Sequence, residues 1–513
     1  MKRITLAIYS CCLLALGACK KDFLEPQPTD KASDSNFWKT EKDANAGVAA
    51  VYNDLQNNDI YGLYVYYDGL TPAAWIWDDG GTGLGPISKG NMNQFGTAPA
   101  NKFRALYNGV FRANVALEKL PGAQMPDSVR SRLTGEATFL RALFYYNLTD
   151  FFGDVPLITK TIPLNSQLPG KETRANLLTF IIKEADAAAK ALPVTYDKSL
   201  TGHATRGAAL TLKAKAQLMA KQYADVVSTC QTIMTLGYDL YSDYRNMFIS
   251  TAAENNIEVI FDVQYVGPGL GQGSLLDKRL STRSSFSSGW SNVYPSAYLV
   301  NNYEMKNGKP ITDPASGYDP ANPYTNRDPR LDYTIVRPGA AWKGIDYKNM
   351  RVDNASLFTG YMTRKYVLEV DGFSAGDSPL NYIVFRFADV LLMLAEAENE
   401  LSGADGIVYS AVNRVRARVG VNMPPVDAGK SQTEMRQIIR HERMIEFAME
   451  GNYYSDMRRW GNAKDVMDGL TVTNLAGQQL DKLTYINAFN LWPLPQKEID
   501  LNSNLIQNPD YAK

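Results

Sequence analysis

The sequence predicts a mostly α-helical fold in which tetratricopeptide-like helical hairpins form a scaffold around a loop-rich insert. Over several long segments apolar residues recur at steps of three and four, which is the period of one helix face. From about residue 238 to 383 that period is lost, and turn-forming glycine and proline with short β-like runs replace it. The scaffold is therefore expected at about 37–237 and 384–513, in one domain that spans 37–513 and includes the insert.

Local end signals support these helices. The run that closes at Gly153 predicts one long helix, and Thr173 and Pro193 bound the next one. Ser431-Gln-Thr-Glu434 is a capping box, which predicts that a helix starts there. Paired helices with small residues on their contact faces are typical of tetratricopeptide repeats, although the period of about 34 residues is blurred here. The periodic segments are 129–151, 177–192, 208–219, 223–233, 387–394 and 408–419.

The N-terminus has the features of an export signal. A positively charged start precedes an apolar run that is too short to span a bilayer, and Leu16-Gly-Ala-Cys19 follows. A cysteine at the cleavage site resembles the lipobox of bacterial lipoproteins, in which the thiol is acylated and the preceding segment is removed. We therefore expect a signal peptide at 1–18, a lipid on Cys19 and a polar tether at 19–36. The alternative is an ordinary secretory signal with an incidental cysteine.

Composition excludes several kinds of site. The chain has 513 residues and a net charge of −1, so it lacks the basic surface that nucleic-acid binding requires. Its two histidines, His203 and His441, are too few and too isolated for a histidine-based metal site. In the mature chain Cys230 is the remaining unmodified cysteine, and its position on an apolar helix face is typical of a core residue. We expect neither a metal nor another cofactor.

Catalytic motifs are incomplete. His441-Glu-Arg-Met-Ile445 lacks the second histidine of a zinc protease, and the glycine runs lack the spacing of phosphate-binding loops. The acidic pair Asp78–Asp79 could serve glycoside hydrolysis in principle, because that reaction needs two carboxylates flanking the scissile bond. Adjacent carboxylates in a glycine-rich loop more often form turns or contact sugar hydroxyls. The sequence therefore predicts a protein that has no catalytic residues and is not an enzyme.

One acidic side chain falls on an apolar helix face. In the helix that follows Ser431, Glu442 lies on the same stripe as Met435 and Ile445. A buried carboxylate must be paired, because an uncompensated buried charge costs several kcal/mol. The sequence predicts a structural ion-pair network that includes Glu442, Arg443 and Arg458, and the alternative is an active-site acid. The available partners of Glu442 are Arg416, Arg443, Arg458 and Arg459.

The same region carries motifs of a known family. Residues 386–397, RFADVLLMLAEA, resemble the R-x-A-D-V-L-L-x-x-A-E-A segment of the SusD/RagB family, surface lipoproteins of Bacteroidetes. The closing segment resembles the family's Q-N-P-G-Y, with Asp510 in place of the usual glycine. The resemblance covers nearly the whole mature chain. Its other matching segments are 137–142, 152–157, 326–330, 413–417, 442–443, 450–451 and 456–460.

The resemblance implies both a fold and a function. The family's helical pairs cradle a loop-rich half that binds ligand, which agrees with the layout predicted above. It implies a protein anchored by lipid at the outer face of the outer membrane. Such a protein captures oligosaccharides and delivers them to a SusC-like TonB-dependent β-barrel transporter. Peptide binding by the same architecture is the runner-up, and a surface glycoside hydrolase is the third alternative.

The family motifs do not fix the sugar contacts, so these must come from residue chemistry. Sugars present a flat C–H face and a rim of hydroxyls, which suit an aromatic platform with nearby polar groups. Trp75 and Trp77 are spaced to lie on one side of an extended segment. The plain alternative for each aromatic residue is that it packs a loop onto the scaffold. The candidate ligand-binding residues are Trp75, Trp77, Asp78, Tyr66, Tyr67, Trp290 and Trp342.

The predicted anchor is testable by substitution. Replacing Cys19 with Ala or Ser should release the protein from the membrane without unfolding it, because the anchor lies outside the core. Membrane fractionation with salt and carbonate washes measures the release, and Cys12→Ser, upstream of the cleavage site, is the control that should stay anchored. Retention of the Cys19 variant in washed membranes would show that the lipobox assignment is wrong.

Overall fold

The computed structural model describes residues 37–281, 289–342, 345–346, 358–369 and 376–511. The predicted signal peptide, the tether and Cys19 lie outside the described residues. The structure is about 49% helical with few short strands, so the predicted mostly-α fold is confirmed. Within the described ranges no helix is both long and apolar enough to cross a membrane.

The scaffold contains the long helices, and the described part of the insert contains only short ones. The helices are α1 (Glu41–Asn53), α2 (Leu84–Ser88), α3 (Thr97–Lys119), α4 (Asp127–Phe152), α5 (Arg174–Ala191), α6 (Arg206–Met219), α7 (Tyr223–Met234), α8 (Asn246–Ile249), α9 (Leu276–Leu280), α10 (Ala297–Asn302), α11 (Arg330–Thr334), α12 (Phe387–Ser402), α13 (Gly406–Arg416), α14 (Gln432–Glu446), α15 (Tyr453–Trp460), α16 (Ala463–Met467) and α17 (Gln496–Leu501).

The strands are short and pair in antiparallel twos. The pairs are β1–β3, β2–β8, β4–β7, β5–β6 and β9–β10. The bounds are β1 (Ala74–Ile76), β2 (Val259–Val263), β3 (Val293–Pro295), β4 (Ile335–Val336), β5 (Ala341–Trp342), β6 (Ile345–Asp346), β7 (Met362–Thr363), β8 (Tyr382–Arg386), β9 (Thr471–Thr473) and β10 (Gln479–Lys482).

The predicted helix ends are found where local chemistry places them. Helix α4 ends at Gly153, whose φ of +72° suits a residue without a Cβ. The Thr173 hydroxyl accepts a hydrogen bond from the backbone N–H of Asn176 and caps α5. Ser431 and Glu434 form the predicted capping box of α14. Helices α1 and α3 precede the first periodic segment that the sequence revealed, so they are additions to the prediction.

The helical scaffold is continuous in space although the insert interrupts it in sequence. From α3 to α7 each long helix packs against the next one along the chain. Helix α12, which begins after the insert, packs against α7 and then against α13 and α14. Strand β2 of the insert pairs with β8, which leads directly into α12. The insert is therefore fixed to the scaffold at the point where the helices resume.

Beneath this junction lies a buried cluster of charges that we call the ion-pair core. Its centre is Glu446, at the end of α14, which contacts Arg386 and Arg418 at 2.7 Å and Arg330 at 2.9 Å. These arginines come from β8, from the segment after α13 and from the insert. The other members, all buried, are Glu258, Asp328, Lys365, Arg416, Glu442 and Glu450.

The ion-pair core keeps Glu446 and Glu442 charged. Burial alone raises the pKa of Glu446, but Arg418, Arg386 and Arg330 outweigh burial and hold that pKa below its ordinary value. The pKa of Glu442 is lowered by the same balance, with Arg330 as its main attractive partner. Neither of these two glutamates has to be protonated for the chain to fold at neutral pH.

The partners of Glu442 differ in part from the prediction. Glu442 is buried and pairs with Arg416 at 2.9 Å, as expected, and with Arg330 at 2.6 Å, which the sequence did not indicate. Arg443 instead pairs with Asp389 and Asp456, and Arg458 pairs with Asp150. The reason is helical geometry, because Arg443 directly follows Glu442 in α14 and points to another side of the helix.

The central position of Glu446 predicts unequal costs for two isosteric substitutions. Glu446→Gln should lower the free energy of unfolding by about 3–5 kcal/mol, because three buried arginines each lose one carboxylate partner. Glu442→Gln should cost less, because Glu442 contacts two arginines whereas Glu446 contacts three. Urea unfolding measures both free energies. The control is Asp239→Asn, which removes an exposed ion pair and should change the free energy of unfolding by no more than about 1 kcal/mol. Equal losses for the two glutamates would contradict a central role for Glu446.

The lowered pKa values also predict acid sensitivity. A carboxyl group whose pKa is lower in the folded chain than in the unfolded chain stabilises the fold above about pH 4.3. This stabilisation is lost as the pH falls from that value toward the folded-state pKa. The free energy of unfolding should therefore decrease steeply below about pH 4 in the wild type and less steeply in Glu446→Gln. Parallel slopes in urea titrations from pH 3 to pH 7 would contradict this origin.

Candidate functional site

The candidate site begins where β1 and β3 end. In this antiparallel pair Trp75 lies opposite Tyr294, and the backbone N–H of Trp77 donates to the carbonyl of Asn292 at 3.0 Å. The pairing therefore extends one residue beyond the strands. It places Trp77 and the loop after it beside the segment that contains Trp290.

Trp77 belongs to a row of aromatic side chains that runs from the core to the surface. Its ring meets the ring of Phe358 edge to face at 5.4 Å, and Phe358 stacks on Tyr294 at 5.0 Å. Tyr294 in turn lies 6.2 Å from the ring of Trp75. Trp75 thus contacts Tyr294, Trp77 contacts Phe358, and these two partners stack on each other. Trp77 is 37% exposed, whereas Trp75 is buried and its Nε1 donates to Asp481 at 3.1 Å.

Trp290 is the second exposed tryptophan of this region, with 40% of its surface accessible. Its backbone N–H donates to the carbonyl of Lys278 at 2.7 Å. The Lys278 ammonium lies 4.4 Å from the indole centroid, and the Arg279 guanidinium lies 4.6 Å from it. Cations at this distance attract the ring electrostatically and restrict its orientation.

The two carboxylates next to Trp77 accept hydrogen bonds from nearby backbone N–H groups. One carboxylate oxygen of Asp78 accepts from the N–H of Gly80 at 2.9 Å. Asp79 accepts from Gly81 at 2.9 Å and from Gly83 at 3.1 Å. These contacts are those of Asx turns, which supports the turn-forming interpretation of the pair over a catalytic one. The Asp78 side chain is exposed beside Trp77, where it can also contact a ligand.

Four of the predicted platform residues, Trp75, Tyr66, Tyr67 and Trp342, are core residues, and their assignment to a ligand surface is corrected. Tyr66, Tyr67 and Trp342 are 0%, 4% and 1% exposed, so none can present a ring face to a sugar. Tyr66 and Tyr67 lie in a 3-10 helix, Tyr64–Leu70, in which every residue is buried. Tyr67 packs against Phe151 at 4.9 Å. The exposed aromatic part of the candidate site is therefore Trp77 and Trp290, which we call the tryptophan platform.

Sequence reasoning missed the residues that hold the platform. Phe358, Tyr294 and Arg279 stand far from Trp77 in the chain, and none lies in a motif. A partial signal was present, because aromatic or polar residues alternate at 75, 77 and at 290, 292, 294. Such alternation on two segments indicates strand faces that can pair.

Other concave surfaces lie away from the platform. A cleft of about 330 Å³ is lined by Tyr196, His203 and Tyr238, and one of about 320 Å³ by Phe103, Leu168 and Leu501. Among the described residues no group of three or more His, Cys, Asp or Glu side chains is placed to hold a metal ion. Neither cleft contains a residue that the sequence singled out as a ligand contact.

Comparison with known proteins shows which family has this architecture. The SusD family profile matches residues 257–511, and a second profile, described as "Starch-binding associating with outer membrane", matches residues 22–218. A SusD-like protein of Formosa agariphila is 26% identical over 532 residues, which cover 99% of this chain and 98% of the relative.

Solved structures show the same similarity. A SusD-like carbohydrate-binding protein of Bacteroides fragilis is 27% identical, with a TM-score of 0.83 over 92% of this chain and 100% of that one. A second SusD-like protein of Bacteroides fragilis is 26% identical, with a TM-score of 0.82 over 94% and 100% of the two chains. The two profiles together span most of the sequence, and the solved structures share the fold over 92–94% of the chain. The chain belongs to the SusD family.

Proposed function

We propose that the protein binds oligosaccharides on the tryptophan platform at the surface of the outer membrane. The observation that carries this proposal is the exposure of Trp77 and Trp290 at the end of one strand pair. Flat aromatic faces suit the C–H face of a sugar ring, and the exposed carboxylate of Asp78 suits its hydroxyls. The family description "Starch-binding associating with outer membrane" supports the same ligand class.

The proposed role is capture and delivery, with no chemical step. The carboxylates of Asp78 and Asp79 form turns, so no pair of acids is arranged around a scissile bond in the described part of the platform. We propose that a lipid on Cys19 anchors the protein to the outer membrane. The captured oligosaccharide then passes to a SusC-like TonB-dependent transporter, for which the family membership is the support. The related Bacteroides fragilis structure carries a carbohydrate-binding description.

Substitution of the exposed tryptophans tests the proposal. Trp77→Ala should weaken oligosaccharide binding by about thirtyfold or more, since loss of a central aromatic anchor typically costs at least about 2 kcal/mol. Its melting temperature should change little, because Trp77 is already partly exposed. Trp75→Ala should lower the melting temperature, because removing a buried tryptophan costs about 3–5 kcal/mol of stability.

Affinity electrophoresis in starch, laminarin, xylan, mannan, alginate and pectin identifies the ligand, and calorimetric titration with the corresponding hexaose gives the dissociation constant. Phe111→Ala, an exposed aromatic on α3 outside the platform, is the control that should bind as the wild type does. Normal binding by both Trp77→Ala and Trp290→Ala would contradict the proposal, as would a wild type that binds none of the six polysaccharides.

A further inference from the structure

We propose that Arg279 is the positioning residue of the tryptophan platform, and that it holds Trp290 and the turn after Trp77 in one fixed arrangement. This inference rests on the proposed function, because it explains how that binding surface is made rigid. It concerns a side chain that no motif singled out and that lies on α9, a helix of only five residues.

Arg279 is connected to both halves of the platform. Its Nη2 donates to the carbonyl of Gly80 at 3.3 Å, and its guanidinium carbon lies 4.6 Å from the centroid of the Trp290 ring. Its own carbonyl accepts from the N–H of Asn292 at 2.8 Å, next to the point where Asn292 receives the N–H of Trp77. One residue therefore contacts the turn, the second tryptophan and the strand extension between them.

The turn is shaped to receive the guanidinium. Gly80 has a φ of +57°, and a Cβ placed there would lie 1.6 Å from Nη1 of Arg279. The guanidinium thus occupies the space that any other side chain at position 80 would need. The other side of the turn is fixed by Asp78, which accepts from the N–H of Gly80. The contact depends on glycine for both its backbone conformation and its closeness.

Arg279 is bound differently from the arginines of the ion-pair core. Among the described residues no carboxylate lies within ion-pair distance of it, whereas Arg330 contacts three. Its Nε and Nη1 are buried without a hydrogen-bond partner in the described part of the chain. A buried donor left unpaired lowers stability, so these two nitrogens do not account for the position of Arg279. The described neighbours of its guanidinium are the Trp290 ring, the Gly80 carbonyl and the buried hydroxyl of Tyr66.

The effect of such a contact is to organise the platform before ligand binds. An indole that must be immobilised on binding lowers affinity, and a guanidinium over the ring removes that cost in advance. Loss of the contact should therefore raise the dissociation constant by about three- to tenfold, with a smaller effect than loss of a tryptophan itself.

Two neighbouring glycines provide a matched test that leaves Arg279 in place. Gly80→Ala and Gly81→Ala both introduce a Cβ at positive φ, +57° and +85°, so both should lower the melting temperature through backbone strain. Only the Cβ at position 80 meets the guanidinium, because nothing lies within 4 Å of a Cβ at position 81. Gly80→Ala should weaken binding of the hexaose three- to tenfold, and Gly81→Ala should not.

Substitution of Arg279 completes the cycle. Arg279→Met should weaken binding by a similar factor, and Arg279→Lys should restore part of it, because a lysine keeps the charge and loses the planar fork. In the Arg279→Met background Gly80→Ala should add no further loss, since the two changes remove one interaction. Additive losses, or equal affinities of the Gly80 and Gly81 variants, would overturn the proposal.

A ligand-free measurement separates this inference from the proposed function. The difference in tryptophan emission between a protein and its Trp290→Phe variant isolates the fluorescence of Trp290. Acrylamide should quench this fluorescence more strongly in Arg279→Met and Gly80→Ala than in the wild type or Gly81→Ala. Unchanged quenching would overturn the positioning role even if glycan binding holds. Changed quenching in a protein that binds no glycan would instead overturn the proposed function and keep the positioning role.

Discussion

The buried contacts of Glu446 are the interaction on which the rest of the structure depends. Three arginines from separate parts of the chain converge on this one carboxylate at the end of α14. One comes from the insert and two from the scaffold, so the charge compensation exists only when both parts are in place. A buried ion pair adds little net stability compared with an apolar core, but a missing partner is costly. The arrangement therefore favours one placement of the insert over all others.

The described contacts of the tryptophan platform are of a different kind from those of the ion-pair core. Around the tryptophan platform the contacts are aromatic packing, single hydrogen bonds and a cation over a ring. Interactions of that strength fix side-chain orientation without determining whether the chain folds.

Sequence reasoning succeeded where the controlling chemistry is local. The ends of α4, α5 and α14 depend on a single glycine, threonine or serine within the same few residues. The burial of Glu442 followed from helical period alone. Its partner Arg330 could not be predicted, because 112 residues separate them and no pattern in either segment encodes the contact. For the same reason the positions of α1 and α3, which the helical period did not reveal, emerged only with the tertiary structure.

The candidate site also depends on contacts between residues far apart in the sequence, which sequence patterns do not predict. Composition indicated that the segment from Tyr64 to Gly85 is dense in aromatic residues, and Trp77 is indeed exposed there. Tyr66 and Tyr67 are buried because their 3-10 helix is enclosed on every side, so alternation along the chain carries no information about exposure. Whether an aromatic residue is exposed or buried depends on which residues, distant in the sequence, pack against it. For Trp77 one such neighbour is Phe358, whose ring meets the indole edge to face, while 37% of the tryptophan stays exposed.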